Sequence, residues 1–509
     1  LTTDKEKTIR LHPDDNVVVA RVDIGAGDRL DNRDLRCKHP IPAGHKVAAR
    51  AIAAGKPVIK YGQMIGFAGA TIQPGEHVHT HNVTLKDFSR ETDIGRDAPA
   101  FQSAAARETE FFNGIVRPDG QVATRNYVAI MPTVNCSAGV ARFIADAITD
   151  DLRSGYPNID GVVALGHPGG CGSPGESEGL QILQRTLAGT AGHPNFGAVL
   201  VVGLGCEANR VECLMANMNL TENQRLKTLD IQTAGGTRAA VEKGIALIRQ
   251  MLPEADRVKR QPVSASHILL GLECGGSDAY SGISANPALG AATDLLVRSG
   301  GTAILSETPE IYGAEHLLTR RAAIPEVAEK LMQRIRWWET HTARLQSAID
   351  NNPTPGNKDG GITTILEKSL GAVAKAGSTP LMQVYEYAEP VTQKGLVFMD
   401  SPGYDPASVT GMVAGGANVI CFTTGRGTVY GVKPVPTLKL ASNSPMYRRL
   451  ADDMDVNCGR IIDGEQSVEQ VGGLIFRRIL ETASGRKTLS EQHGFGDGEF
   501  VPWQFGPIL

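Results

Sequence analysis

Three histidines alternate in Glu76-His77-Val78-His79-Thr80-His81. On an extended strand alternate side chains share a face, so His77, His79 and His81 would point the same way. Neutral imidazole is a common ligand for iron, zinc and related ions. The spacing therefore predicts part of a metal coordination sphere. His45, in Gly44-His45-Lys46, joins it if the chain folds back over that strand. A polar outer strand face is the alternative. Four of the chain's 12 histidines in these two segments argue for ligation.

Four cysteines follow apolar runs: Cys136 after YVAIMPTVN, Cys171 in GHPGGCG, Cys206 in GLGCE and Cys274 in ECGGSD. Open α/β sheets bind ligands beyond the carboxyl ends of their strands. The thiols are therefore expected to converge on a substrate pocket. Ligation of iron or of an iron–sulfur cluster is the less favoured reading, and small residues at buried turns are a third. The segment Gly203-Leu204-Gly205-Cys206-Glu207-Ala208, with Asp230 further on, matches G-x-G-x-x-A and raises a dinucleotide alternative. Polar glycine-rich loops supply Ser277, Asp278, Asn357 and Thr424 as further substrate-binding candidates. Backbone amides in such loops hold carboxylates and hydroxyls. There is no P-loop lysine pattern and no HExxH.

These segments need elements to carry them. Before residue 85, short apolar runs alternate with turns in a weak repeat: DIGAG, PIPAG, AIAAG, TIQPG. That predicts a β-rich domain over 1–85, followed by a polar linker over 86–108. From 109 the texture changes to β-branched runs followed by helical patterns, such as Gly161 to Leu165 and Thr237 to Met251. Alternating strands and helices imply α/β architecture with parallel sheets. We place one α/β domain over 109–390 and a second over 391–509, because the strand, glycine turn, helix grammar restarts at Gly395.

The bulk numbers are ordinary: 509 residues, 41% hydrophobic, 21% charged, formal net charge -4. Nothing in them points to nucleic acid or a membrane as partner. The first thirty residues lack a signal-peptide apolar core, so a cytoplasmic location is expected. Homo-oligomerisation stays open.

Taken together, GHKVA, GEHVHTHN, NCSAGVAR, NFGAVLVVGLGCE, GLECGGSDAYSGISANPALG, SETPEIYGAEHLL, NPTPGNKDGGITTILEKSLGAVAKAG and FTTGRGTVYG resemble the altronate/galactarate dehydratase family. The N-terminal part is similar to that family's SAF-type (β-clip) domain. The loop His167 to Gly172 departs from the altronate-type pattern. The resemblance implies loss of water from an aldonic or aldaric acid to give a 2-keto-3-deoxy acid, with Fe²⁺ or another divalent ion such as Mn²⁺. Related members expel sulfite from sulfolactate.

Such an elimination needs a base for the C2 proton, an acid for the departing hydroxyl and positive charge for the enolate. His167, Lys358 and Lys375 are the acid–base candidates, and Arg426 is the carboxylate clamp. Competing readings are a sulfo-lyase on the same scaffold, a nicotinamide-dependent dehydrogenase and a non-catalytic sugar-acid binding protein.

Overall fold

The computed structural model describes residues 6–30, 35–86, 94–97, 110–172, 177–347, 349 and 352–505. Most of the expected linker lies outside them. The N-terminal strands are β1 (Thr8–Ile9), β2 (Val17–Ala20), β3 (Lys46–Ala48), β4 (Pro57–Lys60), β5 (Gln63–Ala68), β6 (His77–Val78) and β7 (Val83–Thr84). They pair as two small sheets, β1-β2-β3-β6 and β4-β5-β7. The repeat noted above is the device that closes them. Ile24 pairs with Ile41 and Ile52 with Ile72, each by two backbone hydrogen bonds of 2.8–2.9 Å, and all four side chains are buried. Three residues after each isoleucine stands a glycine, Gly27, Gly44, Gly55 or Gly75, with φ between +75° and +86°. Each turn needs the left-handed conformation that glycine adopts without strain.

Next come β8 (Phe111–Val116), β9 (Val122–Ala123), β10 (Tyr127–Pro132), β11 (Gly161–Ala164), β12 (Phe196–Gly203), β13 (Leu226–Asp230) and β14 (Arg260–Ser264). Strands β10 to β13 form a parallel sheet in the order β11-β10-β12-β13. Helices Ala138–Gly155, Glu178–Ala191 and Thr237–Ala255 accompany it, as expected from their apolar periodicity. The chain enters and leaves this unit through one antiparallel sheet, β14-β8-β9.

The last strands are β15 (Leu269–Cys274), β16 (Thr302–Leu305), β17 (Leu381–Tyr385), β18 (Gly395–Met399), β19 (Val419–Thr424), β20 (Thr437–Ala441) and β21 (Val456–Asn457). All seven form one parallel sheet, β17-β18-β16-β15-β19-β20-β21. The division expected at 390/391 therefore falls inside a single sheet, because β19 returns to pair with β15. The restart of grammar at Gly395 is a continuation. The two parallel sheets divide instead between β13 and β15. No helix among the described residues is long and apolar enough to cross a membrane.

Strand order reverses at two places. In the large sheet the chain runs from β15 through β16 to β18 on one side and comes back as β19 on the other. In the small sheet it reverses between β10 and β12. A crevice opens at the carboxyl end of such a switch point.

The turn device makes a testable contrast. A Cβ on Gly75 would lie 2.1 Å from the Arg36 carbonyl oxygen, whereas one on Gly27 meets nothing within 4 Å. Gly27→Ala should cost about 1–2 kcal/mol of left-handed strain, and Gly75→Ala clearly more, since backbone must also move. Denaturant midpoints of the two variants check the order.

Candidate active site

The loop Gly275-Gly276-Ser277-Asp278 leaves from the switch point at the end of β15. The Gly276 carbonyl accepts the N–H groups of Gly425 (3.1 Å) and Arg426 (2.9 Å), which pins the loop after β19 against it. Asp278 is buried. Its carboxylate accepts from Ser281 Oγ (2.9 Å), Ser442 Oγ (2.8 Å) and Asn443 Nδ2 (3.0 Å). Burial pushes this carboxyl up and those bonds pull against it. Asn357 Nδ2 donates to the Ser277 carbonyl (2.8 Å), and its Oδ1 accepts from Thr354 in a capping box. Thr424 Oγ1 accepts from Gly427 N (3.0 Å). Asp278, Asn357 and Thr424 thus hold the loops to one another.

Beside this loop lies a buried cluster that no single motif advertises. Glu273 and Cys274 end β15, Glu307 and Glu310 follow β16, and Asp405 begins the helix Asp405–Ala414. Ligand atoms of Cys274, Glu307 and Glu310 lie within 4.8 Å of one another, as do those of Glu273, Glu307 and Asp405. Lys368 Nζ is 2.5 Å from Glu310 Oε1 and 2.7 Å from Asn352 Oδ1, and Lys375 Nζ is 2.7 Å from Cys274 Sγ. Glu307 sits at φ +68°, and neither of its carboxylate oxygens has a hydrogen-bond donor among the described residues.

Burial, then Glu273 and Glu310, push the Glu307 carboxyl well above the carboxylate range. Burial and the same two neighbours raise Asp405 to about 8. Glu310 is lower than usual: burial opposes this, but Lys368 and Lys375 outweigh it. Burial raises the Cys274 thiol to about 12. With Glu273, Glu307, Glu310 and Asp405 all ionised against two ammonium groups, the excess would be two negative charges. Protons or one divalent cation would restore balance, and the orphaned Glu307 carboxylate is the group such an ion would use.

The histidines lie where the N-terminal domain meets the C-terminal one. β6 spans only His77–Val78, and His79 begins a turn. The single alternating strand face is therefore replaced by a strand end and a turn. Asn82 shapes it, accepting from His79 N (2.9 Å) and donating to the His77 carbonyl (2.8 Å). Because Lys46 stands opposite Val78 in register, His45 comes beside His79. Ring centroids are 4.8 Å apart for His45–His79, 5.1 Å for His45–His77, 5.4 Å for His77–His79 and 5.3 Å for His77–His81. His45 Nδ1 lies 3.0 Å from His77 Nε2, and His45 Nε2 is 3.2 Å from the Asp359 carbonyl. Burial, then the neighbouring imidazoles and Lys46, bring His77 down to about 3 and His79 to about 4. The imidazoles are neutral, as ligation requires. His79 Nδ1 is buried with no partner among the described residues.

Glu367 fastens the two domains. Its carboxylate takes Lys46 Nζ (2.9 Å) and Lys60 Nζ (2.8 Å), all three side chains being essentially inaccessible. Lys46 Nζ also reaches the Gly361 carbonyl (2.7 Å), and Thr363 donates to Glu367 from N and Oγ1. Burial raises Glu367, but Lys46 and Lys60 overcome this and hold it far below the carboxylate range. With two ammoniums on one carboxylate, burial brings Lys46 down to about 8, while Glu367 keeps Lys60 above its usual value. Lys368, the next residue, faces the acidic cluster. A small cavity lined by Lys60, Tyr61, Ser277, Ser281, Glu367 and Lys368 lies between the domains.

Other candidates fall elsewhere. His167 is in the smaller α/β unit, with Nε2 2.9 Å from the Pro132 carbonyl and Nδ1 accepting from Gly169 N (3.2 Å). Neither nitrogen is left for a substrate proton. Cys136, Cys171 and Cys206 are exposed at the carboxyl end of the smaller sheet, so the four cysteines do not converge: Cys274 is buried in the other sheet. Lys358 and Arg426 are exposed, whereas Lys375 is in the buried cluster. The G-x-G-x-x-A loop offers no phosphate cradle. Its Leu204 and Gly205 amides are taken by the Glu207 carboxylate at 3.0 and 2.7 Å. Glu273, Glu307, Glu310, Asp405, Lys46, Lys60, Glu367 and Lys368 were not singled out from sequence. Glu307 and Glu310, just beyond a strand in SETPEIYG, carried the one legible signal.

Family models match nearly the whole chain: an altronate/galactarate dehydratase SAF domain over 6–86, a D-galactarate dehydratase/altronate hydrolase second domain over 114–256, and a D-galactarate/altronate dehydratase C-terminal region over 265–508. The chain is 37% identical to an altronate dehydratase of Escherichia coli (strain K12), over 96% of this chain and 97% of that one. It is also 37% identical to a galactarate dehydratase (L-threo-forming) of the same organism, over 96% and 94%. A (2R)-sulfolactate sulfo-lyase subunit beta of Chromohalobacter salexigens is 32% identical over 77% of this chain and 96% of that one.

Glu367→Gln would leave two buried lysines without their counter-charge, and should cost about 3–5 kcal/mol. The folded pKa of Glu367 is depressed, so its stabilisation is present above the unfolded carboxylate value and is lost as pH falls toward the folded one. Thermal melts of wild type should drop below about pH 4.3, the ordinary glutamate value. In the Gln variant that acid-side slope should be shallower.

Proposed function

The chain belongs to the D-galactarate/altronate dehydratase family, and from that premise we propose that it is a hydro-lyase, removing water from an aldonic or aldaric acid to leave a 2-keto-3-deoxy acid. The observation that carries the reading is the buried cluster at the end of β15, where Cys274, Glu307 and Glu310, and likewise Glu273, Glu307 and Asp405, come within ligand distance of one another. Glu307 would hold a divalent ion, Fe²⁺ or Mn²⁺, together with Glu273 and Asp405 or with Cys274 and Glu310. Such an ion supplies Lewis acidity toward carboxylate and hydroxyl oxygens.

The chain's own groups do the rest. Burial disfavours the charged form of Lys368, but Glu310 outweighs it and keeps the ammonium protonated. Lys368 stands beside the acidic cluster, where its positive charge would stabilise a substrate carboxylate that gains charge as the C2–H bond breaks. Glu367 is a poor base, because the two lysines outweigh burial and leave its carboxylate with little affinity for a proton. His79 is the better proton acceptor: a neutral imidazole with a buried, unengaged Nδ1. The surrounding burial excludes water, which strengthens each of these interactions.

A second placement of the ion, on His45, His77 and His79, rests on the 3.0 Å His45–His77 approach, although the ligand atoms of the three do not all lie within 4.8 Å of one another. Two variants separate the placements. Glu307→Gln with Asp405→Asn should strip the metal and leave the metal-free fold at least as stable, since it removes like-charge repulsion. His79→Ala should keep its metal and lose roughly 10²- to 10⁴-fold in kcat, as for a general base. Metal loss in His79→Ala, with retention in the acidic double variant, would move the ion to the imidazoles.

Substrate class is tested on the purified protein, supplied anaerobically with Fe²⁺ and offered aldonates, aldarates and sulfolactate. A keto acid from a sugar acid is expected. Sulfite from sulfolactate, with the sugar acids untouched, would replace this reading by a carbon–sulfur lyase.

A further inference from the structure

The smaller α/β unit has a switch-point crevice of its own, and its residues play no part in the site described above. Cys136 follows β10, Cys171 follows β11 and Cys206 follows β12, three neighbouring strands of one parallel sheet. All three thiols are free and exposed. The reversal of strand order lies between β10 and β12, so Cys136 and Cys206 stand on its two sides.

The loops carrying them are tied together next to each cysteine. Asn135 N donates to the Gly169 carbonyl and Asn209 N to the Gly170 carbonyl, both at 3.1 Å. Asn209 Nδ2 reaches the Thr133 carbonyl (3.0 Å), and Thr133 Oγ1 donates to Glu207 (2.7 Å). Gly170 has φ +96°, and a Cβ there would fall 2.3 Å from the Thr133 carbonyl oxygen. Only glycine lets the Cys171 loop cross so close to the Cys136 loop.

We infer that Cys136, Cys171 and Cys206 are the protein ligands of an iron–sulfur cluster seated in this crevice. Spacing argues against a single tetrahedral ion. One tetrahedral metal with bonds near 2.3 Å would gather thiolates to under about 4 Å. Among the described residues, the ligand trios within 4.8 Å of one another all lie in the acidic cluster, so these three thiols stand wider apart. A cluster spreads its irons, and so takes its thiolates at wider separation. The helix Ala138–Gly155 starts immediately after Cys136 and has no side-chain cap. The positive end of its dipole lies toward an anionic cluster in this crevice. Three thiolates leave one iron of a four-iron cluster without a protein ligand, open to a small oxygen donor.

The test uses the full chain, reconstituted anaerobically with ferrous iron and sulfide and then desalted. Wild type should retain roughly four acid-labile sulfides per chain, as a [4Fe–4S] centre requires, together with a brown colour. Cys136→Ser/Cys171→Ser/Cys206→Ser should lose the sulfide and the colour while melting like wild type, because exposed loop thiols contribute little to the fold. Cys213→Ser, on the nearby helix Val211–Asn217, should keep both. Each single loop variant should lose at least half of the sulfide, which keeps the inference testable if the triple variant misfolds. Wild type without labile sulfide, iron bound without sulfide, or a folded triple variant that retains the sulfide would each overturn it. An ion in the acidic cluster carries no labile sulfide, so failure here leaves the proposed hydro-lyase reading untouched.

Discussion

The arrangement depends on one buried carboxylate. Glu367 lies between Lys46 and Lys60, so a residue of the C-terminal domain neutralises two residues of the N-terminal domain at the same point. Isolated in an apolar interior, any of the three charges would be very costly. Together they are tolerated only while the domains stay docked, and that makes the interface selective for one geometry. The contact sets everything near it. Lys46 follows His45 directly in the chain, and Lys368 follows Glu367. The ion pair therefore draws the His45 imidazole against the Asp359 carbonyl while Lys368 turns toward Glu310. An apolar core shared by both domains, including Val58 and Ile65 on one side and Leu270 and Leu370 on the other, supplies the non-directional part of the attraction.

The acidic cluster shows the opposite economy. Nothing about packing requires Glu273, Glu307, Glu310 and Asp405 to be buried together, and Glu307 is in addition held in a left-handed backbone conformation. Strain and unsatisfied charge persist only where the surrounding fold over-determines them. Here the surroundings are the central strand β15, the shared loop network through Asp278, and Trp338 and Thr308 holding the neighbouring Asp400. A candidate cation site follows from this arrangement.

How much of this was legible in the sequence differs from element to element. The DIGAG, PIPAG, AIAAG and TIQPG repeat marked the turns of the N-terminal domain, because a left-handed turn after a buried isoleucine leaves a local signature in Gly and Ile. The helices Ala138–Gly155, Glu178–Ala191 and Thr237–Ala255 were legible for the same reason: their periodicity is written within each segment. The histidines were legible as a group. Their mode of convergence was not, since a turn at Asn82 and the pairing of β3 with β6 bring them together.

By itself, then, the sequence determined which segments are strands, turns and helices, which residue types could ligate or bind, and the family that the whole pattern resembles. Tertiary structure alone decided the partners. It put β15 and β19 side by side across the expected boundary at 390/391, assigned Cys274 to one sheet and Cys136, Cys171 and Cys206 to another, and satisfied both nitrogens of His167 with backbone. It also paired Glu367 with lysines some three hundred positions earlier. Local conformation follows from neighbours a few residues away. The charge, burial and hydrogen bonds of a site are set by groups that meet only once the chain has closed distant loops, and no window of sequence contains them.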